Sequence, residues 1–146
     1  MFIVLATTRA TEQGSGVSVR KVIVTPYFAN YPSEWHFSPG LDTGDFVFFS
    51  GITGTRPDLS IANDPESQFR DAFRFLGANL TQAGLRFRDI VEVTTYHVGL
   101  KPHLSAFMRV KDEFIAEPYP AWTAVGVSEL ITDGALVEIR VIAKRG

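Results

Sequence analysis

Tyr119-Pro120-Ala121-Trp122-Thr123-Ala124-Val125-Gly126-Val127 and Leu136-Val137-Glu138-Ile139-Arg140-Val141-Ile142-Ala143, with a turn at Thr132-Asp133-Gly134 between them, decide how this chain folds. Both runs are apolar and bounded by turn residues, which predicts strands over 122–128 and 135–144. A lone carboxylate, Glu138, interrupts the second strand. It has two readings that spacing alone leaves open. If Leu136 and Ile142, on its side of the strand, are buried, the carboxyl is partly desolvated and its pKa rises toward the range useful for acid/base work. Otherwise it is a surface charge paired with Arg140, two residues along on the same face.

Working outward, the clearest helix starts at Asp64, an N-cap candidate followed by Pro65 and Glu66. Phe69, Phe73, Leu76, Leu80 and Ala83 recur at helical spacing, and Gly84 can end the helix. A second helix is expected over 103–116, burying Leu104, Phe107, Met108, Phe114 and Ile115 and stopping before Pro118. Strands are predicted over 17–25, 46–50 and 90–98. Between the first two, residues 26–44 read as an irregular stretch whose Tyr27, Phe28, Tyr31, Trp35 and Phe37 cover a surface. Residues 1–16 read as a flexible lead-in to a single domain over 17–146. The order implies an α+β fold, a mixed sheet with two helices packed on one face. The sheet is apolar on its other face too, which predicts a self-association partner.

The chain has 146 residues, 45% of them apolar, enough for a core without crosslinks. A net charge of −2 without a basic stripe argues against nucleic acid as a partner. The absence of cysteine removes disulfides and thiolate chemistry and fits a cytoplasmic protein. The apolar run Phe2–Ala6 is too short for a membrane span. His36, His97 and His103 lack paired ligand spacing, so no metal is expected. Gly51-Ile52-Thr53-Gly54 lacks the spacing and following helix of a phosphate loop, and Ser50 sits in no nucleophile elbow. No organic cofactor is expected either.

From about Asp45 onward the chain resembles the RidA/YjgF family of imine and enamine deaminases. The resemblance is carried by Ser50-Gly51, the Gln68–Gly84 helix with Asn79-Leu80 and Ala83-Gly84-Leu85, Asp89-Ile90-Val91-Glu92-Val93-Thr94-Thr95, Pro120-Ala121, Thr123, Val137-Glu138-Ile139 and Ile142-Ala143. It implies a chorismate-mutase-like domain assembled as a homotrimer with a central barrel-like core and ligand clefts between subunits. It also implies that Glu138 positions the water that attacks an imine carbon and that Ser50 and Gly51 line the cleft.

Three departures fall in that implied cleft. The family's motif reads Pro-Ala-Arg-Thr, and its carboxylate-holding arginine is replaced here by Trp122; by approximate alignment a pocket tyrosine becomes Phe37 and a pocket asparagine Met108. Tryptophan cannot supply a bidentate grip on a carboxylate. The simple alternative for Trp122 is core packing. The expected function is therefore a hydrolase or deaminase acting on an imine, enamine or related small molecule, weak or inactive on 2-imino acids. The alternative is a non-catalytic small-molecule-binding or regulatory trimer. A ribonuclease or translation inhibitor ranks below both. Arg20, Arg56 or Arg140 would restore the missing charge if folding brought one into the cleft.

Overall fold

The computed structural model describes residues 20–146. The expected lead-in over 1–16 and the start of the first predicted strand lie outside the described residues. Six strands form one sheet: β1 (Lys21–Ile23), β2 (Gly40–Asp42), β3 (Phe46–Ile52), β4 (Ile90–His97), β5 (Ala121–Gly126) and β6 (Val137–Lys144). Their order is β1-β2-β3-β6-β4-β5. Only β4 and β5 run parallel, joined by helix α3 (Leu100–Asp112); all other neighbours are antiparallel. A parallel pair requires such a crossover. The architecture is α+β, as the strand and helix patterning predicted.

Helix α2 (Pro65–Gln82) begins where its capping residues place it. The Asp64 carboxylate accepts a 2.9 Å hydrogen bond from the Ser67 amide, and Gly84 (φ +72°) turns the chain out of the helix. Its stripe of Phe69, Ala72, Phe73, Leu76 and Leu80 is buried against the sheet. Phe69 meets Phe107 of α3 edge-on, and Phe73 stacks on Phe114 at 5.0 Å. On β6, Val137, Ile139, Val141 and Ala143 point into this core, so Glu138, Arg140 and Ile142 face the other side. That second face carries Phe46 and Phe48, both 39% exposed, with Phe48 directly across from Ile142.

Three sequence expectations need correction. Residues 26–44 are not irregular throughout: they contain a 3-10 turn (Pro26–Phe28), a short helix α1 (Tyr31–Glu34) and β2. Elements this short leave no readable period. Helix α3 covers Leu100–Asp112 rather than 103–116, because Gly99 (φ +69°) lets the chain turn straight out of β4. Phe114 and Ile115 still pack on the core, from a turn closed by the Lys111 carbonyl. Met108, expected to be buried, lies on the outer side of α3 and is 42% exposed.

Candidate functional site

The sequence-predicted site residues fall into two separate concavities. Phe37, Ser50, Gly51 and Glu138 line one, a cavity of about 330 Å³. Met108 and Trp122 line the other, a depression of about 350 Å³, with Lys111 and Tyr119. Register explains the split. Trp122 is paired with Val93, on the helix side of the sheet, whereas Glu138 is paired with Tyr96 on the open side. Within one protomer the two residues point to opposite faces.

A β-bulge builds the first cavity. Phe49 pairs with Val141 and Ile52 with Ile139, so Ser50 and Gly51 provide one residue more than β6 does opposite them. The Glu138 side chain lies across the bulge, and a β-carbon at position 51 would overlap its carboxylate. Glycine is needed there for close approach. Ser50 is a strut: its hydroxyl donates to the Ser38 carbonyl at 2.7 Å and its amide to the Pro39 carbonyl at 2.9 Å.

Glu138 is half-buried, makes no hydrogen bond or ion pair with the described residues, and has its pKa raised above its ordinary value by burial. Arg140 points instead to Glu92, 3.6 Å away, and Arg56 to Asp71 at 2.9 Å. Neither lines the cavity, nor does Arg20, and no lysine or arginine does among the described residues. The surface-pair reading of Glu138 is thereby set aside. One wall is aromatic: Phe28 packs on Tyr31 (5.0 Å between centroids), and Tyr31 on Phe37 (5.4 Å). Burial raises the Tyr31 hydroxyl above its ordinary pKa. Thr53, Thr55 and Thr132 form a hydroxyl chain, 2.6 and 3.0 Å apart, on the same cavity.

The second depression is tied down by its own contacts. The Trp122 indole N–H donates to the Thr95 hydroxyl at 3.0 Å, and Thr95 lies 2.8 Å from His97 Nε2. His97 is fully buried, and burial, followed by His103, drives its pKa down to about 4, so it is neutral at pH 7. With its oxygen accepting from Trp122, the Thr95 hydroxyl has its proton free for His97 Nε2. Lys111 is a cation that the sequence reading overlooked. Its ammonium lies 5.2 Å from the Trp122 ring centre, 5.6 Å from that of Tyr119 and 3.1 Å from the Asp112 carboxylate. Its spacing one turn after Phe107 was the available signal. Asn79, which the sequence offers only as part of the family resemblance, was given no site role, although it is a polar residue on the apolar stripe of α2. No group of three His, Asp or Glu suited to a metal occurs among the described residues, and no described helix is long and apolar enough to cross a membrane.

Residues 28–145 match the family model described as Endoribonuclease L-PSP. The chain is 42% identical over 113 residues to the RutC family protein YjgH of Escherichia coli, covering 77% of this chain and 85% of that protein. It is 29% identical over 128 residues to a 2-iminobutanoate/2-iminopropanoate deaminase of Dermatophagoides farinae, covering 86% and 97%. Among solved structures it resembles protein YJGH, with a TM-score of 0.77 and 39% identity over 86% of this chain and 95% of that one.

Proposed function

The chain belongs to the Endoribonuclease L-PSP family, the RidA/YjgF proteins, and from that premise we propose that it hydrolyses an imine, enamine or related small molecule in the Glu138 cavity, with weak or no activity on 2-imino acids. The observation that carries the reading is Glu138 itself. It is a carboxyl without a counter-ion, seated on a glycine bulge in a cavity wall, with burial raising its proton affinity. A carboxyl of raised proton affinity without a counter-ion suits proton transfer. In the step envisaged, Glu138 orients a water and takes its proton as oxygen bonds to the C=N carbon. The nitrogen is protonated and leaves as ammonia or an amine, and a carbonyl remains. The reading requires no metal or organic cofactor.

The substrate preference rests on charge. The cavity wall lacks a cation among the described residues. Lys111, on the other face, is a point charge already set between two rings and beside Asp112, without the planar fork that grips a carboxylate. Assembly as a homotrimer is part of the proposal. It would cover the apolar open face and set the Trp122 depression of one protomer against the Glu138 cavity of the next.

A second reading, a non-catalytic ligand-binding trimer, is favoured by one observation: Trp122 is held by Thr95 and packed on Phe107, so it serves the fold rather than a ligand. Ribonuclease activity ranks last, given the net charge of −2 and a cavity without cations. The deciding assay couples an amino-acid oxidase to semicarbazide trapping of its imine product. We expect no acceleration with 2-imino acids, and acceleration within a panel of neutral and aromatic imines that Glu138→Gln removes. Rapid hydrolysis of 2-imino acids contradicts the substrate assignment, and a fully active Glu138→Gln contradicts the catalytic one. Light scattering tests the trimer, which a stable monomer in dilute solution excludes.

A further inference from the structure

Helix α2 carries two buried amide side chains with opposite circumstances. Gln68 is fully engaged: its Nε2 donates to the carbonyls of Ala62 (2.9 Å) and Gly134 (3.0 Å), and its Oε1 accepts from the Leu136 amide (3.0 Å). It clips the turn before β6 to the helix. Asn79, three turns on, is 0% exposed, and neither its Oδ1 nor its Nδ2 has a partner among the described residues. Buried side-chain amides are nearly always paired, so one left free calls for an explanation. Leucine fits the apolar stripe on which Asn79 sits, and would avoid the cost of desolvating an idle amide.

Asn79 borders the same cavity as Glu138 from just beneath its wall, so a ligand reaches its fully buried amide only by displacing the side chains that cover it. The shared surroundings restrict what it can pair with. A carboxamide presents a donor and an acceptor side by side, which matches another amide edge. The aromatic wall of Phe28, Tyr31 and Phe37 favours a flat body. A wall without cations, and with a carboxyl in it, disfavours an anion. The volume of about 330 Å³ admits a small ring compound.

We propose that Asn79 is a specificity-determining residue of this cavity and reads the amide edge of an uncharged, planar ligand, whether an aromatic carboxamide or a cyclic amide. The assignment rests on the Glu138 cavity being the ligand site, and it is separable from the catalytic role of Glu138.

Benzamide and benzoate share a shape and differ in charge and donors, so calorimetric titration of the full chain with each is the test. The native protein is expected to bind benzamide at least about tenfold more tightly than benzoate at neutral pH, and Asn79→Leu to lose about tenfold or more of the benzamide affinity. The variant is expected to melt no lower than the native protein, since it removes an unpaired amide. Absence of benzamide binding, equal affinity for benzoate, or unchanged benzamide affinity in Asn79→Leu each overturns the proposal. Should the variant fail to fold, a crystal of the native protein with benzamide decides. An amide edge within hydrogen-bond distance of Asn79 supports the assignment; benzamide elsewhere, or an ordered water alone on Asn79, refutes it. Glu138→Gln is expected to keep benzamide binding while losing hydrolysis. Full hydrolysis by Glu138→Gln would count against Glu138 as catalyst and leave the Asn79 result standing.

Discussion

The Glu138 cavity and the Trp122 depression lie on opposite faces of one sheet and treat their polar groups differently. Around Trp122 the indole N–H, the Thr95 hydroxyl, His97 Nε2 and the Lys111 ammonium each have a partner, leaving His97 Nδ1 alone without one. Around Glu138 the carboxyl and both Asn79 amide atoms have none among the described residues. Paired groups in close packing resist change and serve the fold. Unpaired groups on a cavity wall cost stability, and a ligand that pairs with them recovers it, as functional sites commonly arrange. The residue expected to define the ligand, Trp122, thus sits in the better-satisfied region.

The largest expected effect is on chemistry. Glu138→Gln should lower hydrolysis of an accepted substrate by about 100-fold or more, the scale of a lost general base, with the unfolding midpoint unchanged or slightly raised. A large drop in stability would make Glu138 structural and collapse the contrast. Trp122→Ala should do the reverse. It removes a half-buried ring packed on Phe107 and the Thr95 hydrogen bond, costing about 2–3 kcal/mol in denaturant unfolding. A thermally neutral Trp122→Ala with altered substrate choice would move Trp122 into the binding machinery.

Acid titration separates the two regions further. His97 has a folded pKa of about 4 against an ordinary 6.5, so the unfolded chain binds the extra proton in between. Stability should therefore fall as pH is lowered from 6.5 toward 4, and His97→Leu should flatten that part of the urea-midpoint profile. Glu138 acts with the opposite sign. Its folded pKa is raised, so its contribution is greatest at low pH and is lost as pH rises through the folded value; Glu138→Gln should remove that slope. The smallest effect is expected from Arg140→Ala. It breaks the exposed pair with Glu92 at a cost of about 0.5 kcal/mol or less, and hydrolysis should be unaffected. A strong loss of activity would restore Arg140 as a partner of Glu138.

Helix α2 was legible because its signals are local: a capping aspartate, a proline in the first turn, a five-residue apolar stripe and a closing glycine. β3, β4 and β6 were legible from composition, and Glu138 from its isolation among apolar residues. Met108 was misread because helical spacing does not say which flank of a stripe a neighbour covers. Asn79 and Lys111 were given no site role because each sits on a helix whose apolar stripe is accounted for by packing.

The sequence by itself determined the family, the α+β class, the helix boundaries of α2 and the one carboxylate set in an apolar strand, since each depends on residues close together in the chain. Tertiary structure alone decided that β6 runs between β3 and β4, that a bulge seats Glu138 on Gly51, that Trp122 faces the helices, and that Asn79 shares a cavity with Glu138. In a sheet, side-chain direction alternates at every residue, so which groups meet depends on long-range strand register and on bulges. Those follow from how distant segments pack, which no short stretch of this chain specifies.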